Sequence, residues 1–485
     1  MRRDRMRGGA ARLQQGVAAL QEHGSRNVAF YLFCAFLITY FGRLTRRIPL
    51  LGALHFDLVF GLVTLVAVLI GTQRRDRRSR QVTPRGDTWS RLDPIARQLW
   101  ILFGYFIVTL PLVQWPGSVV HNLETWIKSV LFFVFVVTTV DTTRKLHVLL
   151  GIYAATQVWR VLEPLYMHVR WGYWGGYTSL GNWEFMNRLS GSPYDIINPN
   201  GIGFVVIMTL PLLHFLVKPD TTGRRILWAA IAIAMCYALV LSASRSGFLG
   251  LVFLCLFAIW RSKNRAAWLM AGVAGAIVAV ALMTPLQLER YKSIFSHNAP
   301  GAQTAQDRYT GVIEDFKISL RRPFFGHGLG TSLEVNAHYR GVDLPSHDLY
   351  TETAEELGYI GLLLVLALIW SFLRACWDAQ QVVSATPMAD ERLRFLHDVA
   401  SSLVVVVAVD LFFSFASYGL SEPYWYLIGG LAVVTTRLAV KLASAVAPAT
   451  VDPAAAQGVA QPRSRRLGSR RGGALGGRAA PRPSR

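Results

Sequence analysis

Three polar clusters break an otherwise apolar sequence. The first is Ser242-Ala243-Ser244-Arg245-Ser246-Gly247. An arginine between two apolar runs is costly unless it faces water or an anion, or snorkels to lipid headgroups on its long stem. The second opens at Asp307-Arg308 and closes on Arg321-Arg322-Pro323, followed by Phe324-Phe325-Gly326-His327-Gly328-Leu329-Gly330. These glycines lack the Lys-Ser/Thr that follows a nucleotide-binding P-loop, so they read as a flexible turn. In the third, Pro345-Ser346 offers a cap for a helix that starts with His347-Asp348 and runs through Thr351, Glu355 and Glu356 to Gly358. His347, Thr351 and Glu355 then share one face. A lone histidine is more often structural, but this one stands where a helix begins at the water boundary. No His-Glu-x-x-His arrangement occurs, so zinc hydrolysis fits poorly.

Other polar residues gather around these. Trp171, Tyr173, Trp174, Tyr177, Trp183, Phe185 and Tyr194 are interleaved with glycines, Arg170 and Arg188. Aromatic faces stack on sugar rings and arginine forks recognise phosphate, so the stretch suits a charged glycan lipid; an interfacial aromatic belt explains part of it equally well. Asp57, Arg160, Glu163, Asp410 and Glu422 interrupt apolar segments or their ends. A water-filled cavity would accommodate them, and Arg160 is expected to pair structurally with Glu163 or Asp410.

The elements that must position these groups are membrane helices. With 52% hydrophobic and 16% charged residues among 485, the chain has too few charges to clothe several soluble domains. Apolar stretches fall near 28–44, 48–70, 99–115, 125–140, 146–164, 201–217, 226–242, 247–260, 266–284, 358–375, 396–415 and 423–440. With Arg2, Arg3, Arg5, Arg7 and Arg12 cytoplasmic, the even-numbered connections are also inside. They include 71–98, with eight arginines against three aspartates. The turn Arg43-Leu44-Thr45-Arg46-Arg47 is the one dissenter. The net charge of +21 follows this topology rather than nucleic acid, because it is concentrated in the tails and one loop.

The expected fold is therefore all-α and polytopic, with about twelve spans over 28–440, a basic arm 1–27 and a disordered basic tail 448–485. The first apolar run lacks a cleavage site and reads as a retained anchor. Two long outer loops, 166–200 and 285–357, are the places for function. Within the second, Arg308 to Leu320 puts Tyr309, Val312, Ile313, Phe316 and Leu320 on one face of an amphipathic surface helix. Cys34, Cys236, Cys255 and Cys376 lie in or beside apolar runs and read as small core residues.

Taken in order, the motifs resemble the O-antigen ligase and polysaccharide polymerase superfamily. The resemblance rests on Asn198-Pro199-Asn200-Gly201 opening a span, Ser244-Arg245-Ser246-Gly247 between spans, and Asp307-Arg308 with Pro323-Phe324-Phe325-Gly326-His327-Gly328 in the long loop. It continues with Ser346-His347-Asp348-Leu349-Tyr350 through Glu356-Leu357-Gly358-Tyr359-Ile360-Gly361. It covers about 195 to 375 and implies a C-type glycosyltransferase architecture. One departure is Asp348, where the family commonly has Asn.

The resemblance implies transfer of a glycan from an undecaprenyl-pyrophosphate-linked donor to an acceptor hydroxyl, on a glycan or lipid A core, at the periplasmic face of the inner membrane. His347, Arg245 and Arg308 are then the catalytic candidates. Arg321, Arg322, Arg290, Asp348, Glu355 and Trp174 are the substrate-binding candidates. Arginines would neutralise pyrophosphate without a metal or cofactor, and His347 would take or orient the acceptor proton, held by Asp348 or Glu355. Membrane lipids are the surroundings, and nucleic acid is not a partner. Ligase, repeat-unit polymerase and protein O-oligosaccharyltransferase all fit. A secondary transporter, with His55 and Asp57 or Asp410 as a proton relay, or a scaffold role, are the readings from other classes.

Overall fold

The computed structural model describes residues 27–79, 93–181, 184–262, 264–294, 303–386, 390–416 and 419–446. The basic arm, the tail and the middle of the 71–98 connection lie outside the described residues.

The chain opens with α1 (Asn27–Phe41), and α2 (Leu44–Arg47) and α3 (Pro49–Ala53) form a tight corner before α4 (Phe56–Ser79). The second span thus starts at Phe56 rather than at residue 48. Arg43 and His55 take left-handed φ of 51° and 45°, and Pro49 lacks the N–H that would extend α2. Next come α5 (Pro94–Thr109), α6 (Pro116–Thr139) and α7 (Thr143–Trp171). Strands β1 (Gly175–Gly181) and β2 (Glu184–Leu189) then pair antiparallel, with Gly175 opposite Leu189 and Tyr177 opposite Asn187. This hairpin is an exception to the expected all-α reading. Its glycines and aromatics carry no helical period, and the strands satisfy their backbone groups on each other.

Helices α8 (Pro199–Val217), α9 (Thr222–Ser242), α10 (Arg245–Arg261), α11 (Arg265–Leu282) and α12 (Pro285–Lys292) follow. The long loop carries α13 (Gln303–Ser319) and α14 (Ser332–Arg340), and the chain ends with α15 (Leu349–Ser384), α16 (Glu391–Phe413) and α17 (Pro423–Val446). Among the described residues, eight helices are long and apolar enough to cross a bilayer: α5 with its continuation to Leu112, α6, α8, α9, α11, α15, α16 and α17. The apolar stretches of α1 and α4 are shorter.

Helix α17 is buried along most of its length and packs on α6, α15 and α16. Inside this bundle Trp126 donates its indole N–H to the Tyr426 hydroxyl at 2.6 Å, and Phe33, Phe36, Phe41, Phe132 and Phe135 interlock. A second apolar cluster joins α7, α8, α9 and β2 through Val161, Leu165, Leu189, Ile202 and Leu239.

The connections after α1, α5, α7, α9, α11 and α16 meet at one end. Gln114 N donates to His327 O at 3.0 Å, Arg188 Nε to Ser242 O at 2.8 Å, Arg290 Nε to Ala243 O at 3.0 Å and Leu349 N to Ser414 O at 2.9 Å. Opposite, Lys218 pairs with Asp398 at 2.9 Å and Arg437 approaches Asp93 at 3.9 Å. The Arg43–Arg47 turn belongs to the first end, where carboxylates answer its charge. Arg47 chelates Glu163, and Arg43 Nε lies 3.7 Å from Asp195. The expected pairing of Arg160 with Glu163 or Asp410 is replaced accordingly. Arg160 makes a two-pronged contact with Asp195 at 2.7 and 3.2 Å and donates to Gln157 and Tyr424, each at 3.1 Å.

Candidate active site

The floor of the site is a three-way helix junction. Asn198 caps α8 by accepting from Gly201 N at 2.8 Å, with Pro199 at the first helical position, where its missing N–H costs nothing. Asn200 Oδ1 then accepts from Arg188 Nη2 at 2.9 Å and from Ser244 Oγ at 3.2 Å, tying the hairpin to the α9–α10 turn. Ser244 caps α10 through Gly247 N at 3.1 Å. The crossing is close because both helices present glycine. A Cβ on Gly247 would stand 2.8 Å from the Gly203 Cα and 2.7 Å from Leu239 Cδ1.

The turn between α9 and α10 is left-handed at Ala243, φ 46°, and its exposed carbonyls are taken by arginines. Arg188 reaches Ser242 O, and at 3.4 Å Ala243 O, while Arg290 donates to Ala243 O. Arg245 Nη1 donates to Ser293 Oγ at 2.9 Å, and that hydroxyl donates to Arg290 O at 2.6 Å. Guanidiniums from β2, α10 and α12 are thus braced from behind.

These arginines line a cavity of about 370 Å³ together with Arg308, Arg340 and His347. Arg340 is matched by Asp315 at 2.8 Å, and Asp307 stands at the wall. Burial, then the charge of Arg290 followed by those of Arg308 and Arg245, presses the Arg188 guanidinium down to about 9. Burial, then Arg245 and Arg308, presses Arg290 down to about 10. Both remain cationic at neutral pH, so this is a half-buried cluster of like charge that an anion would relieve.

A second cavity of about 290 Å³ adjoins the first, lined by Tyr40, Arg43, Arg160, Phe204, Glu422 and Tyr424 among others. Asn200, Arg308 and His347 line both, so they form the wall between them. His347 is held below its ordinary 6.5 by burial and then by the Arg308 charge, which leaves the imidazole neutral and able to accept a proton at pH 7.

A rigid scaffold holds His347. The helix expected to start at His347-Asp348 begins at Leu349, with Asp348 as its cap. Asp348 Oδ1 accepts from Tyr350 N at 2.6 Å and Thr351 N at 3.2 Å, and burial pushes its carboxyl up. Ser346 does not cap; it donates to Glu355 Oε2 at 2.8 Å. His347 therefore precedes the helix that carries Thr351 and Glu355.

The glycine run at 326–330 is pinned rather than flexible. His327 N donates to Glu355 O at 2.9 Å, Gly328 N to Glu356 O at 2.8 Å and Tyr359 N to Pro323 O at 2.7 Å. Gly326 (φ 67°) and Gly358 (φ 68°) are left-handed, and a Cβ on either would overlap the backbone of the facing segment. The Glu356 carboxylate accepts from Gly330 N at 2.8 Å and Ser332 N at 3.1 Å, anchoring the start of α14.

Of the residues singled out from sequence, Arg245, Arg290, Arg308 and His347 come together at one cavity. Arg321 lies over the Tyr339 ring at 4.5 Å, and Trp174 meets the His168 ring at 4.3 Å. Neither they nor Arg322, Asp348 and Glu355 line either cavity. Arg188, Asn200 and Arg340 enter the first cavity, and Arg43, Arg160, Glu422 and Tyr424 the second, without having been assigned to a site. Asn200 belongs to the Asn198-Pro199-Asn200-Gly201 motif that opens a span. Arg188 carried no signal beyond the aromatic stretch around it.

Residues 230–366, the stretch holding Arg245, Arg290, Arg308 and His347, match the family model described as O-antigen ligase. No curated protein matches the chain. With eight helices among the described residues long and apolar enough to cross a bilayer, the chain is a multi-pass membrane protein that over residues 230–366 is similar to the O-antigen ligase family, whose members are glycosyltransferase-like enzymes of the ligase and polymerase type.

Proposed function

We propose that this protein transfers a glycan from undecaprenyl pyrophosphate to an acceptor hydroxyl at the periplasmic face of the inner membrane, in the synthesis of surface polysaccharide. The observation that carries the reading is the convergence of Arg188, Arg245, Arg290 and Arg308 on one cavity with neutral His347 at its wall. In this reading the pyrophosphate lies among the arginines, and the acceptor approaches from the cavity of Glu422 and Tyr424. The acceptor oxygen attacks the anomeric carbon, its proton passes to His347, and the bond to the pyrophosphate oxygen breaks. The leaving electron pair is stabilised by preorganised guanidiniums. A single displacement inverts the anomeric centre. The arginines supply charge neutralisation that phosphoryl leaving groups otherwise draw from a metal.

The same reading takes the chain through the bilayer twelve times, counting α1, α4, α7 and α10 with the eight helices above, with both termini cytoplasmic. It makes Arg245, Arg308 and His347 catalytic. Arg290 binds the donor directly; Arg321, Arg322 and Trp174 remain candidates for binding the outer part of the substrate, and Asp348 and Glu355 position the His347 segment. The test is transfer by the full-length protein carrying Arg245→Ala or His347→Ala, with membrane insertion checked in parallel. Loss of transfer with normal insertion is expected, whereas near-normal transfer by either variant would overturn the assignment. Magnesium chelation is expected to leave the purified protein active. In cells lacking the protein, intact lipid-linked precursor without ladder indicates a ligase, and one-repeat products indicate a polymerase.

A further inference from the structure

At the end away from the arginine cluster, α8, α9, α10, α11 and α16 enclose a groove of about 630 Å³, inside the roughly 300–1,000 Å³ range of ligand sites. Helix α11 leaves it open, because among the described elements α11 rests chiefly on α10. The shaft is apolar, formed by residues such as Phe215, Ala232, Leu251, Leu254 and Gly272. Its head is polar: Arg261 and Ser262 end α10, His214 and His397 stand beside them, and Asp398 is already matched by Lys218 at 2.9 Å. Two lining donors, Trp228 Nε1 and Ser401 Oγ, are buried and find no acceptor among the described residues. Unmet donors beside hydrocarbon are costly and call for acceptor oxygens from an occupant.

We propose that this groove binds an anionic glycerophospholipid, its acyl chain in the shaft and its phosphate at Arg261. The charge decides between headgroups. With Asp398 neutralised by Lys218, the head offers a surplus cation, and Arg225 and Arg265 lie exposed at the same end. A zwitterionic lipid would bring an ammonium group to this basic rim, whereas a singly anionic one adds no cation to it. The inference goes beyond glycan transfer; with the orientation proposed above, the lipid would belong to the cytoplasmic leaflet.

Trp228 and Trp268 line the groove and report on it. The full-length protein in detergent would be titrated with phosphatidylglycerol or phosphatidylethanolamine, each with brominated acyl chains, while tryptophan fluorescence is followed. Phosphatidylglycerol is expected to produce a saturable quench that the Trp228→Phe/Trp268→Phe variant loses. Arg261→Gln is expected to shift its midpoint about tenfold, the scale of one lost charge-assisted contact. Gly272→Phe, whose Cβ would meet no atom within 4 Å, is expected to fill the groove and abolish the quench without changing the melting temperature. Equal quenching by the two lipids, or unchanged quenching in Arg261→Gln and Gly272→Phe, would overturn the proposal. Glycan transfer is not read in this experiment, so its outcome is independent of the transferase reading.

Discussion

His347 and Arg308 share the wall between two cavities, and the charge of the one lowers the proton affinity of the other. A base must be neutral to act, so transfer is expected to fall as pH drops through the lowered His347 value, with the acid limb of a pH–rate profile below 6.5. Arg308→Gln removes the repulsion and is expected to move His347 titration up toward 6.5, followed by NMR of histidine-labelled protein. Arg188 presents two opposed effects. Its loss takes hydrogen bonds from Ser242 O and Asn200, worth about 1–3 kcal/mol, yet relieves crowding with Arg290, Arg308 and Arg245. The two offset in the free protein but not with an anion bound. Arg188→Gln is therefore expected to lower kcat/KM about 100-fold while the melting temperature changes little. A merely structural arginine would move the melting temperature first.

At the scale of elements, motifs that resemble a catalytic signature divide into chemistry and carpentry. Arg245 and His347 reach the cavity, while the Gly203–Gly247 crossing and the pairing of Gly326 with Gly358 let backbones approach where a methyl group has no room. Gly247→Ala is expected to destabilise the protein by about 1–3 kcal/mol through overpacking against Gly203 and Leu239, read as a lower melting temperature in detergent. Helix α13 joins the two roles. Arg308 and Val312 line the cavity, so Val312 leaves the face expected for it, whereas Tyr309 and Phe316, with Leu320 just beyond the helix end, at 64%, 50% and 54% exposure, present an apolar edge outward. That edge suits a helix lying at a lipid surface with its polar side on the site.

Across the whole molecule, the connections form two sets that do not mix in the contacts described, so the site and its support share one end. Tyr177 is 73% exposed on the hairpin at that end, and Gly223 begins α9 at the other with no atom near its Cβ. With the proposed orientation, Tyr177→Cys is expected to react with a membrane-impermeant maleimide in intact spheroplasts. Gly223→Cys is expected to react only after permeabilisation. The reverse pattern would invert the orientation and place the arginine cavity inside the cell.

Hydropathy alone located the long apolar helices among the described residues, because a bilayer demands continuous apolar runs whatever their neighbours, and it separated the ends that carry Arg245, Arg308 and His347 from the even-numbered connections. Arg290, too, was recognisable as a competitor for the phosphate role. What the linear chain could not express was pairing across distance. Arg188 joins Asn200 and Ser242 only when the hairpin folds back onto the α8–α9–α10 junction, and Arg160 meets Asp195 rather than the nearer Glu163. The Arg43–Arg47 turn looked misplaced by charge counting for the same reason, since Glu163 and Asp195 that answer it are more than a hundred residues away in sequence. Local sequence decides where a helix runs and which end meets water; long-range packing decides which charges meet, and so which arginines gather closely enough to hold an anion.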